Sequence, residues 1–277
     1  MTMPFGLCNA PSVFQKAINH TLRPLIGKFA VVYLDDILIY SRTEEEHEQH
    51  LRAVLELLRK DGWYCNGGKL QWFLKEIRFL GHIITEDGVK ADPAKLEPIK
   101  NWPFPENVQE VRQFLGTTNY FRKFVEKYAQ IAAPLVELTK KNLPESLWKT
   151  PERLEAFQKL KDALVSPQVL AVPDFTKPWE VWTDASGFCC GGILLQEGRP
   201  VAFHSKMMDE TQKRYPTHDR ELLAVFQAYS VWRCYLEGTP SVCYTDHCPL
   251  RFVQEQPNLN SRQVRWLAYL EGFRPYI

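Results

Sequence analysis

The chain has 277 residues, of which 45% are hydrophobic and 24% charged, and a net charge of +1. This is the ordinary balance of a folded protein long enough to bury two cores. Near-neutrality excludes a strongly basic nucleic-acid coat protein but not a local basic groove. The seven cysteines, at positions 8, 65, 189, 190, 234, 243 and 248, include no C-x-x-C pair. That pattern suits a reducing compartment better than a disulfide framework or a zinc site. The N-terminus leads into no apolar signal region. The longest apolar stretch is interrupted by Asp35-Asp36, so neither a signal peptide nor a membrane span is predicted.

The first predicted element is a helix opened by Asn9 and Pro11 and running to about Leu25, with Val13, Phe14, Ala17, Ile18 and Leu22 at helical spacing. A hairpin is predicted over Phe29–Ser41. Thr43-x-x-Glu46 has the form of a capping box, and Leu51, Val54, Leu55 and Leu58 mark the helix behind it, which stops near Gly62. Strand-like runs follow over Lys69–Phe73 and Ile77–Thr85, and then the turn Glu86-Asp87-Gly88. From Asp92 to about Thr139 the periodicity is helical: Ala94–Trp102, Val108–Lys127 and Ile131–Thr139, broken by Pro103 and Pro105. Asn142–Pro151 is the linker candidate, and Pro151–Val165 is one more helix.

A second α/β unit begins near Trp179. Glu180–Thr183, Cys190–Gln196 and Pro200–Ser205 are predicted strands punctuated by Gly187, Gly191-Gly192 and Gly198. A long helix is expected over Asp219–Leu236, a fourth strand over Val242–Thr245, a short helix over Pro249–Val253 and another over Ser261–Leu270. Arg274–Ile277 opens a fifth strand. The fold class is α/β (α+β).

Two sets of acids carry chemistry. Tyr33-Leu34-Asp35-Asp36 puts neighbouring carboxylates in the turn of the hairpin, where like charges raise each other's pKa unless a cation neutralises them. A divalent metal would do so, as in Mg²⁺-dependent phosphoryl transfer. A solvated Asp-Asp turn is the other use of such a pair. In the second unit, Asp184 ends the first strand, Asp246 ends the fourth, and Glu221 lies in the first turns of the long helix between them. If those strands are neighbours, three acids converge at one sheet edge. Two-metal phosphodiester cleavage needs such a set, its ions about 4 Å apart. Each acid also has an ordinary structural use: a turn at Asp184, a helix-dipole partner at Glu221 and an N-cap at Asp246.

Taken together these blocks resemble the Pol polyprotein of Ty3/gypsy-type long-terminal-repeat retrotransposons. The resemblance covers nearly the whole chain: part of a reverse transcriptase and most of its ribonuclease H domain. Met3-Pro4-Phe5-Gly6-Leu7 through Gln15 resembles the nucleotide-pocket and template-contact motif. Tyr33-Leu34-Asp35-Asp36 resembles the catalytic box, and Phe79-Leu80-Gly81-His82 the primer grip. Val111–Gly116 and Asn119–Phe124 are similar to the helical segment after the palm. Pro173-Asp174-Phe175, Thr183–Ser186, Glu221–Ala224 and Thr245-Asp246-His247 are similar to the ribonuclease H blocks.

The resemblance implies a truncated palm at 1–90, a helical thumb or connection at 91–142, a linker and connecting helix at 143–178, and a ribonuclease H-like domain with a mixed five-stranded sheet at 179–277. It implies that Asp35 and Asp36 bind the polymerase Mg²⁺ ions, that Asp184, Glu221 and Asp246 bind the nuclease ions, and that Mn²⁺ can substitute. Phe5 and Gly6 would line the incoming nucleotide, Gln15 would support the template, and Lys69 stands where the family often has a lysine near the triphosphate. The implied partners are an RNA template, a DNA primer, an RNA/DNA hybrid, deoxynucleoside triphosphates and the remainder of a polyprotein, in an intracellular setting (a virus-like particle or the nucleus). Arg112, Arg122, Lys123 and Lys127 would face a duplex or form a solvated helix face. The family's third polymerase acid and last nuclease acid have no counterpart here, so a fragment is expected, or a decayed copy that binds nucleic acid without chemistry.

Overall fold

A computed structural model describes residues 6–140, 144, 148–166, 168–246 and 259–276. The chain divides into two compact units, Met1–Leu80 and Gly81–Ile277. The expected helix at Pro249–Val253 and most of the expected linker lie outside the described residues.

In the first unit α1 spans Ala10–Leu22 with Pro11 in its first turn, and Asn9 makes no side-chain cap. The helix ends at Leu22, short of Leu25: Arg23 keeps helical angles (φ −47°, ψ −41°), but Pro24 has no N–H to continue the hydrogen-bond ladder. β1 (Ala30–Tyr33) and β2 (Asp36–Ile39) form the expected hairpin, paired from Ala30↔Ile39 to Tyr33↔Asp36. α2 spans Glu44–Lys60. Thr43 Oγ1 accepts the Glu46 N–H at 3.2 Å, but the Glu46 carboxylate accepts from Arg42 N–H instead of Thr43, so half of the capping box forms. Ile18, Leu22, Val54 and Leu58 are the buried centre, with Phe14, Val32, Ile37, Ile39 and Trp63 packed around them. The buried Thr21 hydroxyl donates to Asp61 Oδ2 at 2.6 Å and accepts from Trp63 Nε1 at 2.9 Å, joining α1 to the end of α2.

The strand expected over Lys69–Phe73 does not form. Gly67-Gly68 instead supports a 3-10 turn at Gly67–Lys69, capped by the Asn66 side chain, and Phe73 takes a positive φ of 51°. The single strand expected over Ile77–Thr85 is two. β3 is Glu76–Phe79 and β4 is His82–Thr85, separated by Leu80 (φ 48°) and Gly81 (φ 71°), the backbone of a tight two-residue turn.

In the second unit β4 pairs with β5 (Gly88–Ala91) through the expected Glu86-Asp87 turn. α3 (Pro93–Lys100) is capped by Asp92 and α4 (Val108–Tyr120) by Asn107. The helix expected to reach Lys127 ends seven residues earlier, in a 3-10 turn at Arg122–Phe124 and a left-handed Lys127 (φ 55°). α5 is Tyr128–Glu137, starting three residues before and ending two before the expected Ile131–Thr139, and α6 is Pro151–Val165, as expected. Ile99, Phe114, Leu135, Phe157 and Leu160 centre the helical core.

The main sheet contains β6 (Trp179–Ala185), β7 (Cys189–Gln196), β8 (Arg199–Met207) and β9 (Ser241–Tyr244) in the order β8-β7-β6-β9. β6 runs antiparallel to β7 and parallel to β9. At the β9 edge Tyr276 makes a parallel bridge to Val242, the start of the expected fifth strand, whose last residue is not described. The expected long helix is α7 (Thr217–Val231) and α8 (Arg233–Leu236), broken at Trp232. α9 is Ser261–Glu271.

Two glycines explain how this unit closes. Gly191-Gly192 lies inside β7 rather than between strands. A Cβ on Gly192 would sit 3.2 Å from both Trp182 O and the Trp232 ring, so the bare backbone lets the end of α7 approach the sheet. A Cβ on Gly88 (φ 149°) would lie 2.2 Å from Leu170 O. There Val89 and Leu170 exchange backbone hydrogen bonds of 2.7 and 2.8 Å, and Ala171 N–H donates to Pro200 O at 2.7 Å. The chain between α6 and β6 is thereby stitched to both the small hairpin and the sheet. Phe203 and Ile193, on the sheet face opposite α7, pack into the helical core.

Candidate active sites

The parallel pairing of β6 with β9 decides the position of the first acid set. It sets Trp182 beside Tyr244, so the strand ends carrying Asp184 and Asp246 emerge side by side. α7 packs on the other face and brings Glu221 to the same edge. Ligand atoms of Asp184, Glu221 and Asp246 all lie within 4.8 Å of one another, the single such group of three among the described residues. Asp184 and Asp246 are exposed, whereas Glu221 is 5% exposed and its Oε2 is buried without a hydrogen-bond partner. Burial first, then the charges of Asp246 and Asp184, push the Glu221 carboxyl up to about 7. An orphaned buried oxygen facing two more carboxylates is a site short of positive charge. The donors are all hard oxygens, which suits Mg²⁺, Mn²⁺ or Ca²⁺ better than zinc or copper.

A residue that no motif or periodicity singles out holds the start of α7. Asp219 is 1% exposed, and it accepts from Gln263 Nε2 at 2.7 Å, Arg262 Nη2 at 2.9 Å and Asn260 Nδ2 at 3.4 Å. Arg262 also lies over the Tyr215 ring, 3.8 Å from its centroid. Asn260 and Gln263 form a reciprocal capping box on α9. The N-x-x-Q spacing was therefore readable as a helix start, but its use as a clasp on Asp219 depends on tertiary packing.

The second acid set stands on the β1–β2 hairpin. Asp35 and Asp36 are exposed, and among the described residues no third Asp, Glu, His or Cys joins them. A cavity of about 750 Å³ opens beside them, lined in part by His47, Lys69, Trp72 and Arg78. Gln15 does not face outward: its side-chain amide bonds to the hairpin, accepting from Leu34 N–H at 2.6 Å and donating to Val32 O at 3.3 Å. Gly6 is exposed with φ 102°, and Phe5 lies outside the described residues.

Of the remaining expected site residues, Phe79, Leu80, Gly81 and His82 make the β3-to-β4 turn. The His82 ring lies 5.5–6.2 Å from those of Tyr120, Phe121 and Phe124. Arg112 and Lys127 are exposed. Arg122, in contrast, is committed internally: its guanidinium donates to Ser205 O and lies over the Tyr128 ring. Lys123 leans over the Phe124 ring, and burial holds its ammonium below the usual lysine range. The solvated basic face is thus smaller than the sequence implies.

Comparison with known proteins matches both halves. The reverse transcriptase (RNA-dependent DNA polymerase) family matches residues 1–84, and the RNase H-like domain found in reverse transcriptase matches residues 174–273. The chain is 39% identical over 289 residues to the retrovirus-related Pol polyprotein from transposon opus of Drosophila melanogaster, covering 99% of the chain and 29% of that protein. The corresponding protein from the Drosophila transposon gypsy is 37% identical, covering 97% of the chain and 27% of that protein. The transposon Tf2-3 polyprotein of Schizosaccharomyces pombe is 37% identical, covering 99% and 21%. The chain therefore spans about a quarter of the length of these relatives. Among solved structures, a foamy viral protease-reverse transcriptase in complex with double-stranded DNA superposes with a TM-score of 0.87 at 25% identity, covering 99% of the chain and 50% of that one. Foamy viral protease-reverse transcriptase with an RNA/DNA hybrid gives 0.81 at 25% identity, covering 99% and 38%.

Proposed function

Because the chain belongs to the reverse transcriptase and ribonuclease H part of gypsy-type retrotransposon Pol polyproteins, we propose that its second unit cleaves the RNA strand of an RNA/DNA hybrid and that its first contributes the acid pair of a DNA-polymerising palm. The observation that carries the nuclease reading is the meeting of Asp184, Glu221 and Asp246 within 4.8 Å, with one Glu221 oxygen buried and unpartnered. Mg²⁺ is the ion that best suits this hard-oxygen set, with Mn²⁺ as its substitute. When bound, such ions supply a nucleophilic water and stabilise the leaving oxygen. The chain's own residues do the rest. Asp184 and Asp246, at strand ends, and Glu221, on α7, hold the ligand oxygens on rigid supports. Glu221, its carboxyl held near 7 by burial and by Asp246 and Asp184, would give up its proton on holding a cation.

A hybrid presents 2′-hydroxyls on one strand only, which is the chemical distinction available to such a site. Contacts to phosphate and sugar would make binding tolerant of sequence and weakened by salt. In the first unit, Asp35 and Asp36 are the proposed polymerase ligands, and the adjoining cavity with Lys69 and Arg78 is the proposed place of an incoming deoxynucleoside triphosphate. RNA template and DNA primer are the proposed partners of the intact polyprotein, in an intracellular setting. The domain division is a partial palm, a helical thumb or connection, and a ribonuclease H-like domain.

The test is hybrid cleavage by the purified chain with Mg²⁺ or Mn²⁺, paired with Mn²⁺ titration. Asp184→Asn is expected to lower cleavage about 100-fold or more and to remove Mn²⁺ binding at the cluster. Equal cleavage and equal Mn²⁺ uptake by the two proteins would overturn the assignment.

A further inference from the structure

The hairpin carrying Asp35 and Asp36 has a weakness that its sequence does not correct. Its strands are four residues each, and two residues, Leu34 and Asp35, make the turn. Leu34 takes a positive φ of 49°. A positive φ at the first loop position is where hairpins ask for Gly, Asn or Asp, and for a leucine that backbone is strained.

Support for the turn comes from α1. Gln15 is half-buried, and both ends of its carboxamide are used: Oε1 accepts the Leu34 N–H at 2.6 Å, and Nε2 donates to Val32 O at 3.3 Å and to Asn19 Oδ1 at 2.8 Å. In an extended strand the carbonyl of one residue and the N–H of the second residue after it point to the same edge. The amide of Gln15 thus stands in for the N–H and C=O of one residue of a neighbouring strand and spans Tyr33. A related amide clamp occurs in the second unit, where Gln196 pairs with both backbone groups of a single residue, accepting Asp174 N–H at 2.9 Å and donating to Asp174 O at 2.8 Å.

We infer that Gln15 is a positioning residue for the polymerase acids, locking the left-handed Leu34 so that Asp35 and Asp36 leave the turn in one fixed direction. This rests on the reading of Asp35 and Asp36 as metal ligands. It also changes the expected role of Gln15, because an amide spent on Leu34 and Val32 has little left for a template strand.

The experiment uses the full chain and nuclear magnetic resonance, which resolves residues singly. Three quantities are read: exchange of the Leu34 amide, exchange of the α2 amides at Leu51–Leu58, and Mn²⁺-induced broadening of Asp35 and Asp36. Gln15→Met keeps the size and loses the hydrogen bonds. It is expected to speed Leu34 exchange about tenfold, the equivalent of one lost hydrogen bond, with α2 unchanged, and to weaken Mn²⁺ binding at Asp35 and Asp36 about three- to tenfold. Asn19→Ala should leave all three readings near those of the parent. Leu34→Gly removes the strain, so in that background Gln15→Met should cost less Mn²⁺ affinity.

Unchanged Leu34 exchange overturns the brace. Faster exchange spread equally over α2 makes Gln15 a stability residue only. Faster Leu34 exchange with unchanged Mn²⁺ affinity, or an equal loss in the Leu34→Gly background, overturns the positioning role. If the parent shows no broadening at Asp35 or Asp36, it is the metal-ligand reading that fails, and Leu34 exchange still judges the brace separately.

Discussion

The two acid sets are built on different foundations. Asp184, Glu221 and Asp246 project from a four-stranded sheet and a fifteen-residue helix that share a core containing fully buried Trp179, Leu194, Leu222 and Tyr229. Asp35 and Asp36 project from a two-stranded hairpin whose cluster has four buried side chains. The deep core can hold Glu221 in an unfavourable place, because the cost of stacking carboxylates is spread over many contacts. The shallow one leaves its acids in water and relies on a single glutamine to aim the turn. Strong local electrostatics therefore go with the robust unit, and directional hydrogen bonding with the modest one.

The contrast is most sharply tested at Asp219. Asp219→Ala leaves Arg262, Asn260 and Gln263 with unmatched donors, and should cost the second unit about 3–5 kcal/mol, read as a lower denaturation midpoint with the first unit's signals unmoved. Next is pH. The Glu221 carboxyl binds its proton more tightly folded (about 7) than unfolded (4.5), so this group makes stability fall as pH rises through about 7. Burial pulls the His204 imidazole down to about 4, so that group makes stability fall as pH drops below 6.5. The two oppose each other below 6.5. Above it Glu221 acts alone, and about 1 kcal/mol of its effect is left to be lost there, the rest having gone between 4.5 and 6.5. A melting series from pH 6.5 to 8 should slope downward, flatten with saturating Mg²⁺, and flatten without it in Glu221→Gln.

Gly88→Ala forces a Cβ against Leu170 O and strains a left-handed backbone. It should cost about 2–3 kcal/mol in the second unit, measured by urea unfolding. The smallest effect belongs to the first unit. Thr21→Val removes the hydroxyl shared by Asp61 and Trp63 and should cost about 1–2 kcal/mol, visible in Trp63 fluorescence on unfolding. A larger loss there than at Asp219 would reverse the ranking of the two units.

Much of this was legible beforehand where local pattern and packing agree. The hairpin around Asp35-Asp36, α6 from Pro151 to Val165, and the meeting of Asp184, Glu221 and Asp246 followed from alternation, proline placement and chain order. Most of what was missed depends on contacts distant in sequence. One miss is local, the Asn66-capped 3-10 turn at Gly67–Lys69 just ahead of the apolar run, and Trp232 broke a helix that periodicity made continuous. Asp219 was only the first residue of an expected helix until its partners, more than forty residues away, were in place. Gln15 lies nineteen residues from the Leu34 amide it holds, and no periodicity encodes that pairing.

The bare backbone at Gly192 has a mechanical consequence. It is the cross-strand partner of Thr183, the residue before Asp184, and it meets Trp232 just past the far end of α7. Any side chain there would act as a wedge under one end of a rigid rod whose opposite end carries Glu221. The helix would pivot about the wedge and lift its acid away from Asp184 and Asp246. A substitution of a few atoms, remote from the carboxylates, would thus open the gap that a cation must bridge, with every ligand still in the chain.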